Sequence, residues 1–440
     1  MKMDQKTLNR TVLSSLIGAT IEWYDFFLFG VMAGVVLNKL YFPSTDPTIS
    51  LMLAYATFAV GFISRPLGGI VFGHFGDKVG RKSVLVITLM IMGISTFLVG
   101  CIPTYDQIGL WAPALLLTLR VLQGIGLGGE WGGAVLMAYE SAPEEKRGFY
   151  TSIPQMGLSI GILLASGSLA LLSALMSDEA FMAWGWRICF LASFMLVLVG
   201  MWIRTRLFET PEFAAVKESH KEAKLPIVEM FKKDSGKVLL GLGARHVDGV
   251  FFNVFSVFSV SYLISTIGIS RNDALIAVMV GGAVLTVCIP IAGHLSDKMS
   301  RAKLYAVACL VSALSVFPAF YGLQHSAGNT GLMWASIVIP YGILYSAVYG
   351  NVAAFQCDLF EAKVRYTGIS FVYQMTSVVA GMTALISTAL VKMNGGQPWL
   401  VCWYVVLSGL LSAGCAWAIS KRNAAQESGR HSSVRSAAVI

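Results

Sequence analysis

The chain has 440 residues, of which 56% are apolar and only 13% charged, against about a quarter charged in ordinary soluble domains. One soluble core cannot hold that much apolar surface, which excludes a soluble enzyme or binding module and points to a bilayer. The formal net charge of +8 would suit a nucleic-acid partner, but the placement of the basic residues argues against one.

A helix crosses the hydrocarbon with roughly 20 apolar residues. Such runs lie near 12–37, 52–73, 83–103, 112–136, 149–173, 184–203, 238–267, 273–295, 304–323, 331–356, 366–391 and 398–420. The sequence therefore predicts an all-α polytopic membrane protein of twelve transmembrane helices. Barrel strands would alternate over about ten residues, and these runs are continuous. The seventh run is long enough to need tilt or a kink. Met1–Arg10 is polar and the first run exceeds a signal h-region, so no cleavable signal is expected. The seven cysteines are scattered within or beside the runs and suggest neither a disulfide framework nor a metal site. No cofactor is expected.

With the N-terminus inside, external loops carry only Lys39, Arg271 and Lys392, and most other basic residues fall in loops on the opposite side. This asymmetry places both termini in the cytoplasm. The longest polar stretch, 204–237, separates an N-terminal six-helix bundle (1–203) from a C-terminal one (238–421). The tail, 422–440, is rich in Ser, Ala and charge and is expected to be disordered.

The halves repeat. Gly73-His74-Phe75-Gly76-Asp77-Lys78-Val79-Gly80-Arg81 follows span 2, and Gly293-His294-Leu295-Ser296-Asp297-Lys298-Met299-Ser300-Arg301 follows span 8. Glu140 precedes Arg147 by the spacing at which Asp358 precedes Arg365, and Gln155-Met156 matches Gln374-Met375. The three offsets are 220, 218 and 219 residues. Parallel repeats with a site between them near the midplane are a transporter architecture.

Gly73–Arg81 resembles the loop signature of the major facilitator superfamily, and Leu119-Arg120-Val121-Leu122-Gln123-Gly124 its fourth-helix signature. With Glu22-Trp23-Tyr24-Asp25-Phe26, Gly129-Glu130-Trp131-Gly132-Gly133, Trp184-Gly185-Trp186-Arg187 and Glu209-Thr210-Pro211-Glu212-Phe213, the chain resembles the metabolite:proton symporter branch, nearest to shikimate-permease-like members. That resemblance implies a bacterial inner-membrane symporter, expected to be monomeric, whose partners are protons and a small metabolite. It also implies a cytoplasmic latch made by Asp77 and Arg81 and, through the repeat, by Asp297 and Arg301. Cys189, Ser300, Asp358 and His246 depart from the pattern expected of the branch.

Charges inside the bilayer cost about 2.5–3.5 kcal/mol each at mid-depth, so each needs a partner, a wet cavity or a proton. By helix rise, Asp25 and Arg120 lie roughly 20 and 25 Å from the cytoplasmic ends of spans 1 and 4, and Arg65 and Glu130 roughly 12 and 10 Å up spans 2 and 4. Matching depths predict that Asp25 meets Arg120 and Arg65 meets Glu130, with Glu22 one turn below Asp25. Asp25 or Glu22 is the expected proton carrier, since a buried carboxyl and a movable arginine can load and release a proton. Arg120 is also a candidate for a bidentate grip on a substrate carboxylate. Arg245 and Asp248 share a face of span 7, either paired within the helix or flanking the cavity. Gln155, Asn253, Tyr341, Tyr345, Tyr349, Tyr373 and Gln374 are candidate neutral contacts, while Arg65 and Glu130 suit gating. Gly124-x-Gly126-x-x-Gly129 mimics a dinucleotide fingerprint but lies within a span; Gly124, Gly128 and Gly132 at spacing four instead predict close helix crossing.

These features suit a secondary transporter that couples inward proton flow to carboxylate uptake. Uptake of a zwitterion such as betaine is the nearest alternative. A proton–drug antiporter would carry a Gly-Pro signature that span 5 lacks, and no nucleophile or metal constellation supports a membrane enzyme or sensor.

Overall fold

The computed structural model describes residues 5–45, 47–205 and 226–437. Among the described residues the regular structure is helical throughout. Twelve helices are long and apolar enough to cross a membrane: span 1 Gln5–Met32, span 2 Leu53–Gly76, span 3 Lys82–Cys101, span 4 Trp111–Ser141, span 5 Glu144–Leu169, span 6 Phe181–Trp202, span 7 Ile227–Tyr262, span 8 Asp273–Lys298, span 9 Arg301–Gln324, span 10 Thr330–Cys357, span 11 Arg365–Met393 and span 12 Trp399–Ala425. Large apolar side chains such as Ile63, Val287 and Leu385 point outward from the bundle. In water they would invite aggregation; facing lipid they cost nothing.

Helix packing shows the duplication directly. In the first half span 1 packs on span 5, span 2 on span 4, and span 3 on spans 4 and 6. In the second half span 7 packs on span 11, span 8 on span 10, and span 9 on spans 10 and 12. Adding six to each helix of the first set yields the second. The halves meet chiefly through span 2 against span 11 and span 5 against span 8, two contacts that the same operation exchanges.

Small residues allow these crossings. A methyl at Gly124 or Gly128 would collide with the backbone of span 2, at Gly61 and at Arg65. Gly132 faces Tyr366 and Ser370 of span 11. The repeated loop glycines do equivalent work: Gly73 abuts Thr367 of span 11, and Gly293 abuts Gly148 and Ser152 of span 5. Tyr366 enters a socket between Gly76, Gly132 and Gly133, where an added methyl would crowd its ring at the first two and its hydroxyl at the third, and that hydroxyl donates to the Gly129 carbonyl at 2.6 Å.

Two sequence expectations need correcting at their edges. The helix containing span 7 starts at Pro226, inside the stretch read as connecting loop, because Pro226 is suited to a first helical turn. It breaks at Asp234, just ahead of the long apolar run, and within that run it widens into π-helical turns at Val254–Phe258 and Leu263–Ile267. The final helix continues to Ala437 instead of fraying at 421, since Lys421–Glu427 contains strong helix formers and no proline. Pro340 lies in a widened π-helical turn, Val338–Leu344, which re-aims the tyrosines that follow it in span 10.

Candidate functional site

The two halves enclose a polar, aromatic cluster at their interface. From the second half, Arg245 and Asp248 form an ion pair of 3.0 Å one turn apart on span 7, both almost fully buried. Arg245 also donates to the Tyr373 carbonyl at 3.1 Å and to Thr376 on span 11. Asp248 accepts from the Tyr345 hydroxyl at 2.6 Å. The arginine is thus held by two helices and its carboxylate by a third. The guanidinium lies 3.4 Å from the centre of the Tyr373 ring. The indole of Trp131, from span 4, stacks on the same tyrosine with ring centres 3.6 Å apart. Trp131 donates to Gln155 at 2.8 Å, and Gln155 donates to the Tyr349 carbonyl across the interface at 3.3 Å.

The first half contributes Arg65 and Glu22. Arg65 is buried with its guanidinium 4.4, 4.7 and 5.1 Å from the ring centres of Phe26, Phe62 and Trp23. Glu22, Tyr373, Tyr349 and Arg245 all lie in electrostatic range of it. Gln374 donates to the Gly128 carbonyl at 3.0 Å, so its amide bridges span 11 to span 4. Tyr341 stacks with Tyr345, and Tyr345 with Tyr349, to form a ladder along span 10. Asn253 turns back on its own helix, donating to Gly249. His246 is half-buried and joins neither the ion pair nor the stack.

The ion pairs among the described residues do not include Asp25 with Arg120 or Arg65 with Glu130. Both pairings expected from depth are therefore revised. Arg120 is caged by Phe26, Phe29 and Phe58 at 4.2, 4.5 and 4.7 Å and donates to Gln123 at 3.1 Å and to the Phe58 carbonyl. Gln123 in turn donates to Thr96 at 2.8 Å. Asp25 is fully buried beside Thr96 and Ser193, and neither carboxyl oxygen makes a hydrogen bond. Asp25 and Arg120 are therefore not in contact: Arg120 reaches Gln123 and Gln123 reaches Thr96, which lies beside Asp25. Glu130 accepts from Thr88 on span 3 at 2.8 Å.

At the end of the bundle that carries the repeated loops, contacts between the halves are polar. Asp297 accepts from the backbone N–H groups of Gly148 and Phe149 at 2.6 and 2.8 Å, capping span 5. Arg301 bridges Asp297 and Asp358, at 3.0 Å each. Tyr139 donates to Asp358, and Arg365 pairs with Glu140 at 3.3 Å. These contacts close that end of the interface, and a cavity of about 220 Å³ opens beside them. The side chains of Asp77 and Arg81 lie outside the described residues.

Sequence reasoning missed four participants. Trp131 was visible as one large aromatic among glycines. Tyr139 carried no signal. Glu140 and Arg365 were visible as members of equally spaced acid–arginine pairs, and the fold pairs these two with each other across the halves.

Comparison with known proteins gives this arrangement a family. Residues 11–237 match the family model "Sugar (and other) transporter", and residues 244–438 match "Major Facilitator Superfamily". The shikimate transporter of Escherichia coli (strain K12) is 38% identical over 412 residues, covering 92% of each chain. The chain belongs to the major facilitator superfamily. A second relative, the inner membrane metabolite transport protein YhjE of the same organism, is also 38% identical, covering 91% of this chain and 92% of the relative. The Escherichia coli (strain K12) proline/betaine transporter is 31% identical, covering 93% of this chain and 83% of the relative. The fold matches the proton:xylose symporter XylE bound to 6-bromo-6-deoxy-D-glucose with a TM-score of 0.76, at 16% identity and covering 94% of this chain and 96% of that one. Against inward-open XylE, at 16% identity and covering 93% and 96%, the score is 0.63. This major facilitator protein is a multi-pass inner-membrane transporter and not an enzyme.

Proposed function

We propose that this transporter takes up a small carboxylate together with protons, with both termini in the cytoplasm. It acts as a monomer, alternating access by rocking its two halves about the cluster between them. The observation that carries this reading is the meeting of buried charges from both halves, Arg65 and Glu22 from one and Arg245 and Asp248 from the other, around Tyr373. Such groups persist in a bilayer where they serve a substrate or ion path. The curated relatives named above transport metabolites.

Asp25 is the proton carrier in this reading. A buried charge without a partner is costly, and uptake of a proton removes it. Arg120 donates to Gln123 and Gln123 to Thr96, which lies beside Asp25, so a polar path runs from the guanidinium toward the carboxyl. Asp77, Arg81, Asp297 and Arg301 gate the cytoplasmic end.

The test is uptake into proteoliposomes. An inward proton gradient accelerates accumulation by the wild type. Asp25→Asn, which cannot carry a proton, loses uphill accumulation but retains counterflow. Wild-type accumulation by that variant removes Asp25 from the coupling path. Uptake of a zwitterion such as betaine is the second reading, favoured by the 31% identity to a proline/betaine transporter. Counterflow with labelled carboxylates and betaine separates the two.

A further inference from the structure

Arg65 and Gln374 each keep buried polar atoms that no neighbour satisfies. On Arg65 these are Nε and Nη2. Those two atoms form one edge of the guanidinium, where the N–H bonds run parallel at the spacing of two carboxylate oxygens. Three aromatic rings hold the side chain, and Glu22 lies in range without closing that edge. Arg120 offers no such edge, since its Nε, Nη1 and Nη2 all donate to the protein. On Gln374 the amide nitrogen is committed to Gly128 and Leu127, which leaves Oε1 buried without a donor. Gln374 packs against Gly69, one helical turn from Arg65 on the same face of span 2. An open pair of donors and an open acceptor therefore lie near each other at the junction of the halves. Buried groups of this kind are ordinarily satisfied.

We propose that Arg65 grips the substrate carboxylate through Nε and Nη2, and that the substrate also carries a hydroxyl or N–H group that donates to Gln374 Oε1. The proposal rests on the carboxylate reading above and narrows it. Hydroxylated acids and secondary amino acids meet both demands; a quaternary ammonium zwitterion meets only the first.

The experiment is equilibrium binding to the purified full-length protein, using shikimate, methyl shikimate, proline, cyclohexanecarboxylate and glycine betaine as probes. Shikimate or proline binds, methyl shikimate does not, and glycine betaine binds more weakly than either donor-bearing acid. Arg65→Lys weakens that binding roughly ten- to a hundredfold, since an ammonium cannot make the two-pronged contact. Arg65→Gln, a neutral variant that keeps much of the side-chain bulk, gives a loss at least as large. Both are compared at wild-type ligand-free melting temperature. Gln374→Leu weakens the donor-bearing acid about tenfold but leaves cyclohexanecarboxylate unchanged. Wild-type affinity in both Arg65 variants, ester binding equal to acid, or no carboxylate binding overturns the Arg65 assignment. Equal effects of Gln374→Leu on both acids, or tightest binding of glycine betaine, overturn the Gln374 assignment. Binding with all the expected dependences but no acceleration of uptake by a proton gradient leaves this inference standing and overturns proton coupling instead.

Discussion

Arg120 and Arg245 are both buried inside the bundle, yet their surroundings have opposite character. Arg245 has a carboxylate at 3.0 Å, a hydroxyl, a carbonyl and a tyrosine face, drawn from two helices, and a third helix holds the carboxylate. Arg120 has no carboxylate in contact; three phenyl rings, an amide and one carbonyl take the place of a counter-ion. The first arrangement is rigid because removing either charge strands the other. The second leaves the guanidinium able to gain from a new partner, as a movable element requires. Burial alone therefore does not distinguish a strut from a switch; the neighbours do.

Breaking the strut gives the largest expected effect. Asp248→Asn or Arg245→Ala leaves an uncompensated buried charge or an unsatisfied site, and destabilises by about 3–5 kcal/mol. Thermal unfolding in detergent reads this, and the Arg245→Met, Asp248→Leu double variant recovers much of the loss. A smaller effect is expected at the switch: Arg120→Met strands Gln123 and the Phe58 carbonyl for about 1–3 kcal/mol, with transport falling more than stability. If Arg120→Met destabilises as much as Arg245→Ala, the contrast between the two sites collapses.

The height of a buried charge was readable from the sequence, and its direction was not. Hydropathy and repeat offsets are properties of the chain itself, so the twelve spans and the duplication were legible without any tertiary information. The Arg245–Asp248 pairing was also accessible, because i,i+3 neighbours on one helix meet whatever surrounds them. The pairings Asp25–Arg120 and Arg65–Glu130 relied on depth alone. Three residues turn the helix through about 300°, an offset of about 60°, which is enough for Glu22 and Asp25 to meet different neighbours: Glu22 lies in range of Arg65, and Asp25 lies beside spans 3 and 6. Contacts across helices such as Trp131 on Tyr373 have no local signature, because they depend on where the second half docks.

Two further variants sharpen the comparison between interior and edge. Gly133→Ala places a methyl against Leu85 and the Tyr366 hydroxyl, and overpacking of this kind costs about 1–3 kcal/mol. The part owed to Tyr366 applies only while the halves meet at the end carrying the repeated loops, so labelling of engineered cysteines in that half of the cavity rises; unchanged labelling means Tyr366 does not set the closed state. The smallest effect is expected from Lys363→Ala. Its 2.5 Å pair with Glu229 is partly exposed, and such pairs contribute below about 1 kcal/mol. A loss comparable to that of Asp248→Asn would show that burial inside the bundle does not set the worth of an ion pair.

The tyrosine socket has a consequence for sequence divergence. Tyr366 is matched to three glycines on two helices of the opposite half, so these four positions are not free to drift singly. A side chain gained at residue 76, 132 or 133 is tolerated only after the ring at 366 has shrunk, and a shrunken ring leaves a void that favours a larger residue at one of the three. Sequences related to this one should therefore fall into two groups, aromatic with small partners or small with bulkier partners. Intermediates that are bulky or small at both ends should be rare.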